Sequence, residues 1–217
     1  MPATSDRLSF GPLSIAFDAR VLRPRPWTVH QARWGAELLR EAPPGPVLEL
    51  CAGAGQIGLL AVAGSGRHLV QVDADPVACR FARANAAAAV AVADGSYDGT
   101  VDVRQARVDE AVRPGERFAL IIADPPWVPT DAVRRYPDDP VHAIDGGADG
   151  LDVMRRCTAT IVEHLAPGGS AVVQVGTVRQ ARRVGDDAAP LRPLAVRAYP
   201  PHGVLVLLRH AAETVPA

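Results

Sequence analysis

VLELCAGAGQIG, running from Val47 to Gly58, joins an apolar segment carrying one acid to a run of three glycines and a renewed apolar pattern. A strand that ends in glycines and restarts as a helix is the turn through which a parallel sheet receives a ligand. Glu49 sits near the end of that strand, where a buried charge costs free energy unless a partner meets it. Cys51, Gly53 and Gly55 follow it at two-residue steps, and Gly58 closes the run.

Outward from this turn, apolar runs alternate with helical patterns. Strands are expected at Pro46–Leu50, His68–Val72, Thr100–Gln105, Phe118–Ala123 and Ser170–Val175, with helices at Gln56–Ala63 and Pro76–Ala89. Thr28 is the expected N-cap of a helix from Val29 to Glu41, and Asp75 that of the helix opening at Pro76. Leu151, Met154, Ile161, Val162 and Leu165 recur at helical spacing and are expected to end at Pro167-Gly168-Gly169. Leu194–Tyr199 and Val204–Leu208 flank Pro200-Pro201-His202-Gly203 and read as an antiparallel hairpin. The expected fold is α/β: a Rossmann-like, doubly wound, seven-stranded, mostly parallel sheet with an antiparallel C-terminal hairpin. Residues 1–27 read as an irregular N-terminal segment and 28–217 as one domain. Ligands of such sheets lie beyond the carboxyl ends of the strands, so the residues after Leu50, Val72, Gln105 and Ala123 are expected to share one cleft.

Composition narrows the chemistry. All 23 basic residues are arginine, which excludes lysine Schiff bases and the lysine of a phosphate-binding P-loop. A net charge of −1 gives no electrostatic reason to expect nucleic acid as a partner. Cys51, Cys79 and Cys157 lack metal spacing, the six histidines show none either, and no metal site is expected. The N-terminus has no basic segment followed by an apolar one, and the uncharged run Leu50–Gly66 is broken by glycines. A soluble cytoplasmic protein with reduced thiols is therefore expected.

The glycine turn admits two frames. Gly53, Gly55 and Gly58 fit GxGxxG with Asp73 at the distance of a ribose contact, as in a nicotinamide dehydrogenase. Glu49-x-Cys51-x-Gly53-x-Gly55 equally fits the acid-x-G-x-G-x-G loop of an S-adenosylmethionine (SAM) site. The ammonium of the methionine part, directly or through water, would then be the partner of Glu49. The segment Ile121–Pro129, IIADPPWVP, separates the frames. Two prolines after a strand fix φ and remove N–H donors, leaving a stiff finger with an acid at its base and an indole at its tip. A methyl donor needs an acceptor nitrogen held in line, because the sulfonium already supplies a good leaving group. Asp124 and the Pro125 carbonyl are expected to accept the N–H groups of the acceptor, Pro126 to stiffen the finger, and Trp127 to stack on the planar group. His142 falls in the loop expected over the cleft and is read as a bystander.

These motifs resemble class I SAM-dependent methyltransferases, and more narrowly the release-factor glutamine methyltransferases. Val21-Leu22-Arg23-Pro24-Arg25-Pro26 with Thr28 is similar to that family's segment before the first helix. Asp139–Gly147 with Asp149-Gly150-Leu151 resembles the stretch after its NPPY motif, and Pro167-Gly168-Gly169, Val175-Gly176 and Gln180 follow in order. The resemblance spans roughly residues 20 to 185. It implies SAM as cofactor, held by Glu49, Cys51, Ala52, Gly53, Ala54, Gly55, Asp73, Ala74, Arg107, Val108, Asp109 and Asp124. Asp124, Pro125, Pro126 and Trp127 are the implied catalytic finger. The chain departs from the family where Asp124 replaces Asn, Trp127 the usual Tyr, Arg107 an acid near the adenine, and Trp27 a Glu that would place a second ring at the mouth. Only about twenty residues precede the match, so the family's N-terminal helical domain is expected to be absent. The expected acceptor is a release-factor-like protein or a small molecule bearing a planar amide or amine nitrogen. A natural-product methyltransferase, or a SAM-binding domain without turnover that serves as sensor or partner subunit, is the alternative.

Overall fold

The computed structural model describes residues 5–92 and 99–211. A seven-stranded sheet forms the core, in the order β5-β4-β3-β6-β7-β9-β8. Its strands are β3 (Val47–Leu50), β4 (Leu69–Asp73), β5 (Val101–Gln105), β6 (Phe118–Ala123), β7 (Leu165–Val175), β8 (Leu191–Ala198) and β9 (Val204–His210). The first five are parallel, while β9 runs antiparallel to both β7 and β8. The Rossmann-like sheet and its antiparallel terminal hairpin are as expected.

Every residue of β3 and β6 is buried, which a parallel strand covered on both faces requires. Leu48, Leu50, Ile121 and Ala123 face helices α5 (Asp152–His164) and α6 (Val178–Asp187). Val47, Leu120 and Ile122 face α1 (Val29–Leu39), α2 (Gln56–Val62) and α3 (Pro76–Val92). Gly35 lets α1 approach β6 closely, since a Cβ there would lie 3.2 Å from Ile122. Asp75 caps α3 as expected, its carboxylate accepting the Val77 N–H at 2.8 Å. A short helix, α4 (Val141–Ile144), lies in the connection between β6 and α5.

Three local expectations are corrected. The N-terminal segment is not irregular: β1 (Asp6–Phe10) and β2 (Leu13–Phe17) pair antiparallel about Gly11, whose φ is +59°. Their alternation is too short to stand out in sequence, and packing decides it: Phe10 and Ile15 join the core beside Ala54 and Ile57. Buried Asn85 of α3 accepts the Ala16 N–H and donates to the carbonyls of Ala16 and Ala54, tying this hairpin to the glycine turn. Thr28 caps nothing with its side chain, because Pro26–Thr28 already forms a 3-10 turn and Thr28 Oγ1 donates back to the Arg25 carbonyl. Finally, α5 ends at His164, so Pro167-Gly168-Gly169 belongs to β7, where a register shift opposite Phe118–Leu120 absorbs it. Among the described residues no helix is long and apolar enough to cross a membrane.

Candidate active site at the switch point of the sheet

Strand order reverses between β3 and β6, so the connections leaving their carboxyl ends diverge and open a cleft. Its cavity is about 450 Å³, lined by Cys51–Ala54 after β3, Asp73–Asp75 after β4, Arg107–Asp109 after β5, and Asp124 with Pro126 after β6. The four strand ends expected to converge do so. Val21, Arg23, Arg25 and Thr28 close one side, and His142, Val153 and Arg156 another.

The glycine turn is wound by left-handed residues. Cys51 has φ +59°, the only positive value at a non-glycine among the described residues, and Gly53 and Gly55 have +55° and +84°. An L-residue in that region is strained. Cys51 Sγ rests 4.0 Å from Cys157 Sγ of α5, and that contact together with burial holds the Cys51 thiol well above its usual pKa. Asp73 ties the turn to β4: its carboxylate accepts the N–H of Gly53 at 2.8 Å and that of Asp75 at 2.9 Å. Burial raises its pKa against the pull of those two bonds.

Glu49 lies beneath the cleft and does not line it. Its partners within the protein are the Gly58 N–H at 2.9 Å and the Gln71 side-chain amide at 2.7 Å. The same amide donates to the Gly55 carbonyl at 2.8 Å. Burial pushes the Glu49 carboxyl up to about 7. The sequence signal for Gln71 was an amide in the otherwise apolar run Leu69–Val72, directly opposite Glu49 in the strand register.

Asp124 stands half-buried at the base of the finger. Burial raises its carboxyl to about 7, moderated only by the charge of Arg25, and no protein hydrogen bond contributes. Arg25 in turn is paired with Asp139 of the loop that crosses the cleft. His142 Nε2 approaches Asp75 at 3.5 Å from the same loop.

Other expected site residues are placed differently. Pro125 is buried and does not line the cleft, although it lies between two residues that do. Trp127 turns away: its ring packs on Gly176, where a Cβ would lie 2.3 Å from Cε3, and it joins an apolar cluster with Val128, Val133 and Ile144. The pull of that cluster outweighs exposure of the indole to the cleft. Trp27 likewise stacks on His202, with ring centroids 4.3 Å apart, and does not line the cavity. Gly55 is absent from the lining as well, while Arg107 reaches it with its side chain paired to Asp109 at 3.3 Å. Sequence reasoning missed Gln56, which lines the cleft with a buried, unpartnered Oε1. Among the described residues no group of three metal-ligating side chains occurs.

Residues 14–136 match the family described as "Conserved hypothetical protein 95". The chain is 33% identical over 162 residues to the release factor glutamine methyltransferase of Koribacter versatilis, covering 72% of this chain and 55% of that protein. It is 34% identical over 154 residues to the ribosomal protein uL3 glutamine methyltransferase of Bradyrhizobium diazoefficiens, covering 68% of this chain and 45% of that protein. It thus spans about half the length of these curated relatives. The structure of the T. thermophilus 16S rRNA N2 G1207 methyltransferase, solved with AdoMet and guanosine, superposes with a TM-score of 0.66 at 17% identity, covering 96% of this chain and 50% of that one. The shared feature there is the fold.

Proposed function

We propose that this chain, which belongs to the family described as conserved hypothetical protein 95, is a SAM-dependent methyltransferase acting on a planar amide or amine nitrogen. The observation that carries the reading is Asp124: a half-buried carboxylate without a protein donor, lining the same cleft as the Gly53–Asp73 unit. A partly desolvated carboxylate with no protein donor is open to a ligand N–H.

The residues present fit SAM. Asp73 keeps lone pairs free for two ribose hydroxyls, while Ala52, Gly53 and Ala54 offer a turn in contact with the cavity. Ala74, Val108 and the Arg107–Asp109 pair supply the wall for the adenine. Cys51 lines the floor. The cofactor supplies an electrophilic methyl, whose sulfonium charge Asp73 and Asp124 in the cleft can face. Asp124 accepts the acceptor's N–H groups and aims its lone pair, Pro126 keeps the finger stiff, and the proton released on transfer leaves to water. Glu49 and Gly55 act one layer below, shaping the turn.

Relatives at about a third identity are named for glutamine in release factors and in ribosomal protein uL3. A glutamine side chain of a translation protein is accordingly our first acceptor, with action in the cytoplasm and residues 28–217 as the methyltransferase domain. Asp124 in place of Asn supports a second acceptor class, an amine or amidine of a small molecule, because a carboxylate favours a more basic nitrogen. The test is incubation with SAM and purified release factor, uL3 protein or an amine panel, followed by mass spectrometry. Transfer of one methyl to nitrogen is expected. Folded protein that binds S-adenosylhomocysteine but methylates none of them removes the enzymatic reading in favour of a SAM-binding domain without turnover.

A further inference from the structure

The finger has few means of holding itself. Pro125 and Pro126 donate no N–H, the Asp124 N–H meets the Leu50 carbonyl only at 3.4 Å, and the next firm backbone bond is Val128 N–H to Ile144 at 3.0 Å. Two side chains occupy the gap. From α1, the amide of fully buried Gln31 donates to the Ala123 carbonyl at 2.9 Å and to the Val172 carbonyl of β7 at 3.1 Å. From α6, the amide of Gln180 donates to the Trp127 carbonyl at 2.9 Å and to the Asp149 carbonyl at 3.2 Å. Its Oε1 accepts from the Gly176 N–H at 3.1 Å and the Thr177 hydroxyl at 3.2 Å. The two helices lie on opposite faces of the sheet.

Gln31 is poorly suited to packing. Its Oε1 is buried with no partner, a cost of roughly 1–3 kcal/mol that a leucine or methionine in the same space would avoid. What the amide alone supplies is the grip on Ala123, the residue immediately before Asp124. Gln180 grips the residue immediately after Pro126.

We propose that Gln31 and Gln180 are positioning residues that clamp the finger Asp124–Trp127 at base and tip, one from each face of the sheet. The proposal rests on the acceptor role given to the finger above. Neither amide touches the cofactor wall, so their removal separates acceptor alignment from cofactor binding.

The experiment uses Gln31→Met and Gln180→Met, which keep side-chain length and remove the donor, in the full chain. Hydrogen exchange at Val128 and Gly146 reads the finger, calorimetry with S-adenosylhomocysteine reads the cofactor wall, and turnover is measured on whichever acceptor the wild type methylates. Each variant should speed exchange at these amides roughly tenfold, about one buried hydrogen bond's worth. Each should lower kcat by at least about tenfold, a misalignment effect, while affinity for S-adenosylhomocysteine stays within about twofold. Exchange and kcat unchanged in folded variants would overturn the clamp, as would faster exchange spread evenly over the sheet with unchanged kcat, the mark of a merely structural role. If a variant does not fold, Gln180→Glu, which retains the acceptor oxygen, is read in the same way. Should the wild type methylate nothing while exchange responds only at the finger, the assigned activity falls and the clamp stands.

Discussion

Asp73 accepts the Gly53 N–H at 2.8 Å across 20 residues of sequence, joining the acid at the end of β4 to the glycine turn after β3. One carboxylate therefore both shapes the turn and faces the cleft. Asp73→Ala removes two charge-assisted bonds together with the ribose contact proposed for it. Affinity for S-adenosylhomocysteine should fall at least about 30-fold, since such bonds contribute roughly 1.5–3 kcal/mol each. Calorimetry checks this; an affinity within threefold of wild type would remove Asp73 from the site.

Asp124→Ala should abolish turnover and leave affinity for S-adenosylhomocysteine largely intact. The raised pKa of about 7 adds a pH signature. Only the ionised carboxylate accepts from both N–H directions, so wild-type kcat should climb as pH rises from 6 to 8. Asp124→Asn should flatten that profile, because its carbonyl accepts at every pH. A rising profile in the Asn variant would assign the titration to another group.

Glu49 carries the corresponding prediction for stability. Its carboxyl binds a proton more tightly in the fold, at about 7, than at its ordinary value of 4.5. The stability so contributed is complete below about pH 4.5 and is lost as pH rises through 7. Glu49→Gln removes that loss, because the amide does not titrate. The melting temperature of the variant relative to wild type should therefore increase between pH 5 and pH 8. A pH-independent difference would mean that Glu49 does not titrate in the folded protein.

Trp127 and Gly176 form one contact, and each half can be removed. Gly176→Ala places a Cβ 2.3 Å from Cε3 of the ring and must displace it. Trp127→Ala should cost roughly 3 kcal/mol, as for a large aromatic lost from a packed cluster. Both should lower the denaturation midpoint. A Trp127→Ala variant as stable as wild type but with weakened acceptor affinity would restore the stacking role.

The parallel strands and the Asp75 cap were legible because they rest on local patterns: apolar runs, a glycine turn, an acid before Pro76. The convergence of Cys51, Asp73, Asp109 and Asp124 was legible too, since sheet topology fixes where strand ends go. The partners of Glu49, Gly58 and Gln71, were not legible, because they become neighbours only through strand register and helix entry. Gln31 gave no signal, as one polar residue in a helix reads the same whether it faces solvent or a strand carbonyl.

The sequence by itself determined the alternating architecture, the turn after β3 and the stiff finger after β6. Hydrophobic period, glycine and proline act within a few residues of one another, so their consequences are local. Only the tertiary structure decided that Trp127 belongs to the core side of the finger, that Glu49 is satisfied from within, and that two glutamines hold the finger from opposite faces. Those outcomes depend on which groups compete for the same buried space and the same few donors, and that competition exists only once the sheet and helices have met.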